Sequence, residues 1–255
     1  MQYVCIQVGK EGMEEEEMEP INTRKHKWYG SALVPRFLES RIIARVISSF
    51  VLAPMMLFVV HVGGVFFNSL VALIAMLIVG EWHRMVFKRW SILDVMIGTK
   101  LYYIGLFYIL MFATSLIYLR GVDSGEYVTY WLLVVTCSTD IGGYCFGIVI
   151  GGPKLAPSIS PSKTLSGFLG GVMCGCAVGS MCVSLLPFNS DATYLLSILL
   201  PIFGHCGDLL ESKMKRYFKV KDSGNIIPGH GGLMDRADSI SMSAMVLALY
   251  IYTCY

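Results

Sequence analysis

Apolar residues in this chain fall into long unbroken blocks, with polar residues gathered into short stretches between them. Neither the alternating pattern of a half-buried strand nor the three-four rhythm of a soluble amphipathic helix runs through these blocks. Several reach about 20 residues, the length of helix that crosses about 30 Å of hydrocarbon. The pattern predicts spans at about 42–61, 65–81, 101–119, 127–150, 165–187, 192–210 and from 239 to the C-terminus. A transmembrane barrel would show many short alternating segments instead. The expectation is an all-α polytopic membrane protein of about seven transmembrane helices, or eight or nine if 83–100 holds a broken extra helix.

The polar punctuation supports that division. Gly63-Gly64 makes the first turn and "RGVDSGE" (120–126) the third. "GGPKLAPSISPSKT" (151–164) reads as a polar loop, and 211–238 is a long polar segment. Pro54 is tolerable inside a membrane helix. "GFLGG" and "GCAVG" in the fifth span offer small surfaces for close helix contact.

Composition narrows the class. The chain has 255 residues, 55% hydrophobic and 15% charged, and a mean hydropathy of +0.62. A soluble domain of this size needs more charge to cover its surface. Of the eight cysteines, seven fall in or beside apolar runs, where cysteine packs as a small hydrophobe. The "CGC" at 174–176 has no partner at zinc-finger spacing.

The net charge of +2 matters less than its distribution. Residues 1–41 carry an acidic run, Glu14 to Glu17, and a basic one, Arg24-Lys25-His26-Lys27. They are expected to form a solvated, disordered cytoplasmic tail, with 42–255 as the integral membrane domain. No apolar core of a cleavable signal precedes the first span. With the N-terminus cytoplasmic, Arg84, Lys88, Arg89, Lys100, Lys154, Lys163 and the basic residues of 213–236 all face the cytoplasm. Arg120 alone is left outside, as the positive-inside rule requires.

Three polar clusters then share the cytoplasmic face. The first holds Asp140 in "TDIGGYCFG", an acid buried among apolar residues and therefore a functional candidate. A structural hydrogen bond to a neighbouring helix is the plainer account of it. The second is "SISPSKTLSGFLGG". There Ser160, Lys163 and Thr164 precede a helix start whose free N–H groups suit an anion, although a basic connector would look the same. The third is "GHCGDLLESKMKRYFKVKDSGNIIPGHGGLMDRADS". On a helix, His205, Asp208 and Glu211 share a face, and Asp235 and Asp238 repeat the spacing at the next helix start. Oxygen-rich clusters of this kind suit a hard cation such as Mg²⁺ held together with substrate phosphates. Lys213, Lys215, Arg216, Lys219, Lys221 and Arg236 lie between or beside them. Gly231-Gly232 lets backbone approach a ligand closely. A merely solvated basic loop explains the lysines but not Asp208 at the end of an apolar span.

The stretch from Ser212 to Asp238 resembles the signature of the phosphatidate cytidylyltransferases. That signature reads S-x-[apolar]-K-R-x4-K-D-x-[small]-x2-[apolar]-[P/G]-x-H-G-G-[apolar]-x-D-R-[apolar]-D. "GDLLES", "SPSKT" and "DIGGYCFG" resemble further motifs of the family, so the likeness covers about 135–240. Two positions depart from it. Ser166 stands where the family pattern has glutamate, and Ala237 is smaller than expected.

The resemblance implies transfer of the cytidylyl group of CTP to phosphatidate, giving CDP-diacylglycerol and pyrophosphate. It implies Mg²⁺ as cofactor, as two divalent ions or one with a monovalent cation, and a site at the cytoplasmic membrane face of a bacterial inner membrane. Asp208 and Asp235 would lead as metal ligands, with Asp238 close behind and Asp140 and Glu211 in support. Lys163, Lys215, Arg216, Lys221 and Arg236 would hold phosphates. Ser160, Thr164, Lys213 and Asp222 would line the substrate site, shaped by His230, Gly231 and Gly232. The bilayer is a partner, a homodimer is compatible with this reading, and nucleic acid has no place in it. The chemical rival is a CTP-dependent polyprenol kinase, which would release CDP rather than pyrophosphate. A cation-coupled transporter fits less well, because it would place its acids near the midplane without a dense Lys/Arg cluster.

Overall fold

The computed structural model describes residues 53–87, 95–224 and 231–254. The acidic tail, the first part of the first predicted span, Lys88, Arg89 and His230 lie outside the described residues. The elements in order are α1 (Ala53–Val62), α2 (Gly64–Phe87), α3 (Val95–Gly121), α4 (Gly125–Val149), β1 (Lys154–Ala156), β2 (Ser160–Thr164), α5 (Leu165–Met181), α6 (Ser190–Tyr217) and α7 (Met234–Cys254). Five helices are long and apolar enough to cross a membrane, namely α2, α4, α6, α7 and Gly98–Gly121 of α3. The described part of α1 and α5 are shorter apolar helices.

Helix boundaries differ from the hydropathy reading where polar chemistry sets them. The fifth span ends at Met181, and a single 3-10 turn, Val183–Leu185, follows. Pro187 supplies no N–H and disfavours helix at Leu186. Asn189 then starts α6 by accepting the Ala192 N–H on Oδ1 at 2.8 Å. Helix α6 runs on through Tyr217, for 28 residues. At about 1.5 Å per residue that is about 42 Å, longer than about 30 Å of hydrocarbon. Lys213, Lys215 and Arg216 therefore ride on a helix that outlasts the apolar zone. Helix α7 begins at Met234, five residues before the apolar run, and α2 continues to Phe87. The expected polar loop at 151–164 contains a two-stranded antiparallel hairpin, pairing Lys154 with Thr164 and Ala156 with Ser160.

The hydrophobic core is built from α1 to α4, α6 and α7, whereas the buried residues of α5 are glycines. Phe67, Leu119, Leu132, Leu196, Leu200 and Leu247 are all buried in it. Outward faces remain apolar, with Val65 79% and Val149 83% exposed, which is a surface made for lipid rather than water. Helix α5 packs mainly on α4 and then on α6. The α4–α5 seam is lined by glycine, and a Cβ on Gly167 would lie 2.7 Å from the Gly143 carbonyl oxygen. This is the close approach that small residues permit in membranes.

One end of the bundle is tied by Arg120. Its Nε donates to the Val60 carbonyl at 2.7 Å and its Nη2 to that of His61 at 3.2 Å. These are free carbonyls at the end of α1, where a cation is favoured. Gly63 follows in the left-handed region (φ 64°), and a Cβ there would strike the Arg120 guanidinium. His61 Nδ1 also lies 2.8 Å from Glu126 Oε1 on α4.

Candidate active site

At the opposite end, α4, the hairpin, α5, α6 and α7 enclose a cavity of about 460 Å³. Asp140, Asp208, Asp235 and Asp238 line it with Lys163, Thr164, His205 and Arg236. Residues from all three polar clusters of the sequence thus meet in one space. Asp140 is exposed into this cavity rather than buried among apolar side chains, because the α4 face it occupies looks onto the cavity. Its Oδ1 accepts the Ser239 hydroxyl at 3.2 Å.

The hairpin delivers Lys163 and Thr164. Thr164 caps α5, its Oγ1 accepting the Gly167 N–H at 3.1 Å. Ser166, in the place of the family glutamate, lies 3.1 Å from Thr164 Oγ1 and donates to the Gly151 carbonyl. It fastens the first turn of α5 to the loop before the hairpin. Lys163 is ion-paired with Asp208 of α6 across the cavity. Ser160 sits in the hairpin, 3.5 Å from Ser162 through their hydroxyls, and Ser162 rather than Ser160 lines the cavity.

Asp235 is the most heavily engaged of the acids. It accepts Lys215 Nζ at 2.8 Å, the Ser223 N–H at 3.1 Å and the Gly232 N–H at 2.9 Å. Asp238 accepts the Ser239 N–H at 2.8 Å. Gly231 is in the left-handed region (φ 84°), where a Cβ would also come 3.0 Å from Asp235 Oδ2. Among the described residues, no three His, Cys, Asp or Glu side chains are gathered as a ready-made metal cage.

Other sequence candidates fall outside this cavity. Glu211 is buried, with Oε1 3.0 Å from Lys215 Nζ. It lines a separate apolar cavity of about 120 Å³ between α2, α3, α6 and α7. Lys215 bridges Glu211 and Asp235 and so braces α6 to α7. Arg216 Nε donates to the Ile159 carbonyl at 3.1 Å, tying α6 to the hairpin. Lys213, Lys221 and Asp222 are exposed and line neither cavity. His205 stacks near Phe168, ring centroids 5.1 Å apart, and its buried Nε2 has no hydrogen-bond partner among the described residues.

Glu81 closes the predicted span 65–81, and hydropathy gave it no role. It is fully buried and accepts hydrogen bonds from Ser223, Leu233 and Met234. An acid inside an apolar run was the available signal, the same one that singled out Asp140.

Comparison with known proteins agrees with the motifs. The chain is 45% identical over 139 residues to the phosphatidate cytidylyltransferase of Staphylococcus haemolyticus (strain JCSC1435), covering 54% of this chain and 51% of that protein. It is 44% identical over 148 residues to that of Brucella suis biovar 1 (strain 1330), covering 57% and 55%. It is 47% identical over 116 residues to that of Staphylococcus aureus (strain COL), covering 45% and 44%. The chain spans about half the length of the curated relatives it matches. The model of the cytidylyltransferase family matches residues 96–254, which hold every acid and cation of the cavity, and the chain belongs to that family.

Proposed function

We propose that this chain transfers the cytidylyl group of CTP to phosphatidate, yielding CDP-diacylglycerol and pyrophosphate. The observation that carries the reading is the composition of the cavity. Four carboxylates and two cations, Lys163 and Arg236, share about 460 Å³ at the end of a membrane bundle. That setting suits a polyphosphate meeting a lipid headgroup. The relatives named above carry the same activity in their names.

A phosphatidate oxygen attacks the α-phosphorus of CTP, the new P–O bond forms, and the bond to the β-phosphate oxygen breaks to release pyrophosphate. The attacking phosphomonoester is mostly ionised at pH 7, its second pKa being about 6, so no strong base is required. The protein's task is to hold two anions in line and offset their charge. Lys163 offers a point charge on the capped start of α5, where N–H groups also favour an anion. Arg236 offers a planar fork suited to phosphate.

Carboxylate oxygens are the donors that Mg²⁺ prefers, and it needs only one or two of them when substrate phosphates complete its shell. The donor set therefore fits the ion although no three-residue cage is gathered among the described residues. Asp208, Asp235 and Asp238 would hold it, with Asp140 in support. The backbone donors on Asp235 orient that ligand, as such partners commonly do. When bound, the ion neutralises charge on the triphosphate and polarises the phosphoryl oxygens.

Lys154, Lys163, Lys213, Lys215, Arg216 and Arg236 gather at the cavity end, and Arg120 lies at the other. On the positive-inside rule we assign the cavity to the cytoplasmic face of a bacterial inner membrane, with seven spans and a cytoplasmic N-terminus. The deciding experiment supplies purified protein in detergent with CTP, phosphatidate and Mg²⁺. Pyrophosphate and CDP-lipid in equal amounts support the reading. Release of CDP instead would mark a kinase, and no turnover of either kind would refute cytidylyl transfer.

A further inference from the structure

Glu81 sits near the end of α2, outside the stretch that matches the family, with 0% of its surface exposed. A carboxylate at such depth is tolerable only when its oxygens are well occupied. Here they are. Oε1 accepts the Leu233 N–H at 3.0 Å, and Oε2 accepts the Met234 N–H at 2.9 Å and the Ser223 hydroxyl at 3.1 Å. The two amides stand at the start of α7, where N–H groups have no acceptor within their own helix. Glu81 thus caps α7 from a different helix, across 152 and 153 positions of sequence, and its charge suits the positive end of the dipole.

The neighbouring glycines make room for it. A Cβ on Gly232 would strike the Ser223 hydroxyl and fall 2.6 Å from Glu81 Oε2, and one on Gly224 would collide with Oε1. Glu81 closes the space beside Gly224, and Glu81 together with the Ser223 hydroxyl it holds closes that beside Gly232. Asp235 grips the same stretch of chain from the cavity side, through the N–H groups of Ser223 and Gly232. Ser223 is held by both acids, its amide by Asp235 and its hydroxyl by Glu81.

We propose that Glu81 is a positioning residue for the cavity. By anchoring Ser223 and the first turn of α7, it sets where the carboxylates of Asp235 and Asp238 stand. The catalytic part of this inference rests on the cytidylyl-transfer reading. Glu81→Gln is the informative change. It keeps the size but turns one acceptor oxygen into an NH₂ group, so at least one donor of the three is left facing another donor.

The test pairs hydrogen exchange with kinetics on the full chain in detergent. In Glu81→Gln, amide exchange at Leu233 and Met234 should rise while the rest of α7 keeps its protection. Turnover should fall about 10- to 100-fold, the usual cost of losing a partner that orients a ligand. The Mg²⁺ midpoint should move upward and KM for CTP should stay near wild type. Ser223→Ala, which removes only a hydroxyl, should shift both readouts the same way by less. It should add little to Glu81→Gln in the double variant. If Glu81→Gln does not accumulate, Ser223→Ala carries the test alone. Unchanged exchange at the two amides, or a rise spread evenly over all helices, overturns the proposal. So does a raised KM for CTP with unaltered turnover. A local rise in exchange in a chain that makes no CDP-lipid would sink the proposed reaction and leave the anchoring of α7 standing.

Discussion

Lys215 and Asp235 meet at 2.8 Å, joining the last turn of α6 to the first turn of α7. The lysine also lies 3.0 Å from Glu211, and all three side chains are largely buried, at 14%, 11% and 5% exposure. Removing the cation leaves the largely buried Glu211 and Asp235 without the charge that bridges them. Breaking a buried pair in this way typically costs about 3–5 kcal/mol. Lys215→Met should lower the melting temperature in detergent clearly, and adding Glu211→Gln should recover part of the loss. Unaltered melting together with a raised KM for CTP would return Lys215 to the phosphate-binding role that the signature implies.

The Lys163–Asp208 pair leads to a different expectation. These two line the cavity and bridge the hairpin strand β2 to α6, and both are partly open to solvent, with side chains 21% and 27% exposed. Asp208→Asn and Asp235→Asn each keep size and lose a charge. If either carboxylate serves the metal, turnover should fall about a thousandfold, or several kcal/mol at about 1.4 kcal/mol per decade. The measurement is cytidylyl transfer against Mg²⁺ concentration. Near-normal rates and midpoints in both would move the metal site to Asp140 and Asp238. Lys163→Ala should raise the CTP requirement while leaving membrane insertion intact.

Gly167→Ala tests the seam between α4 and α5. The added methyl would be 2.7 Å from the Gly143 carbonyl oxygen, which is backbone and cannot rotate aside. Overpacking of this kind costs about 1–3 kcal/mol. Lower thermal stability is expected, accompanied by reduced activity because Gly167 also lines the cavity. A variant as stable as the parent would mean the helices separate without penalty.

Topology can be read with single cysteines. Asp123, in the turn between α3 and α4, should label from outside intact cells after replacement by Cys. Lys221 should label only after permeabilisation. It is the better cytoplasmic probe than Ser223, which is 8% exposed and held by Glu81. External labelling at Lys221 would invert the arrangement.

Part of this site was legible because its chemistry is written in short spacings. The three-residue intervals on two helices marked Asp208, Asp235 and Asp238, which line one cavity, but the same interval grouped Glu211 with them, and it turns instead into the apolar cavity. Hydropathy located the helices because hydrocarbon thickness sets their length. It failed at their ends, where α6 runs on through charged residues and α5 stops short before Pro187. Glu81 was not legible as an anchor, since its partners lie 142 to 153 residues away and no periodicity links them. Nor could a sequence motif say that Lys215 spends its charge on two acids while Lys163 faces the cavity.

The glycine seam has a mechanical meaning. Side chains around the cavity adjust by turning about single bonds, at little cost and independently of one another. Along the line where Gly143 faces Gly167 there is nothing to turn, because main chain rests on main chain. That wall responds only by shifting a whole helix against its neighbours, which the close packing of α5 on α4 and α6 opposes. Lys163 and Thr164 stand immediately before the first turn of one of these helices, and Asp140 lies on the other. The seam is thus a fixed datum, the rigid jaw of a vice against which the charged side chains opposite take their measure.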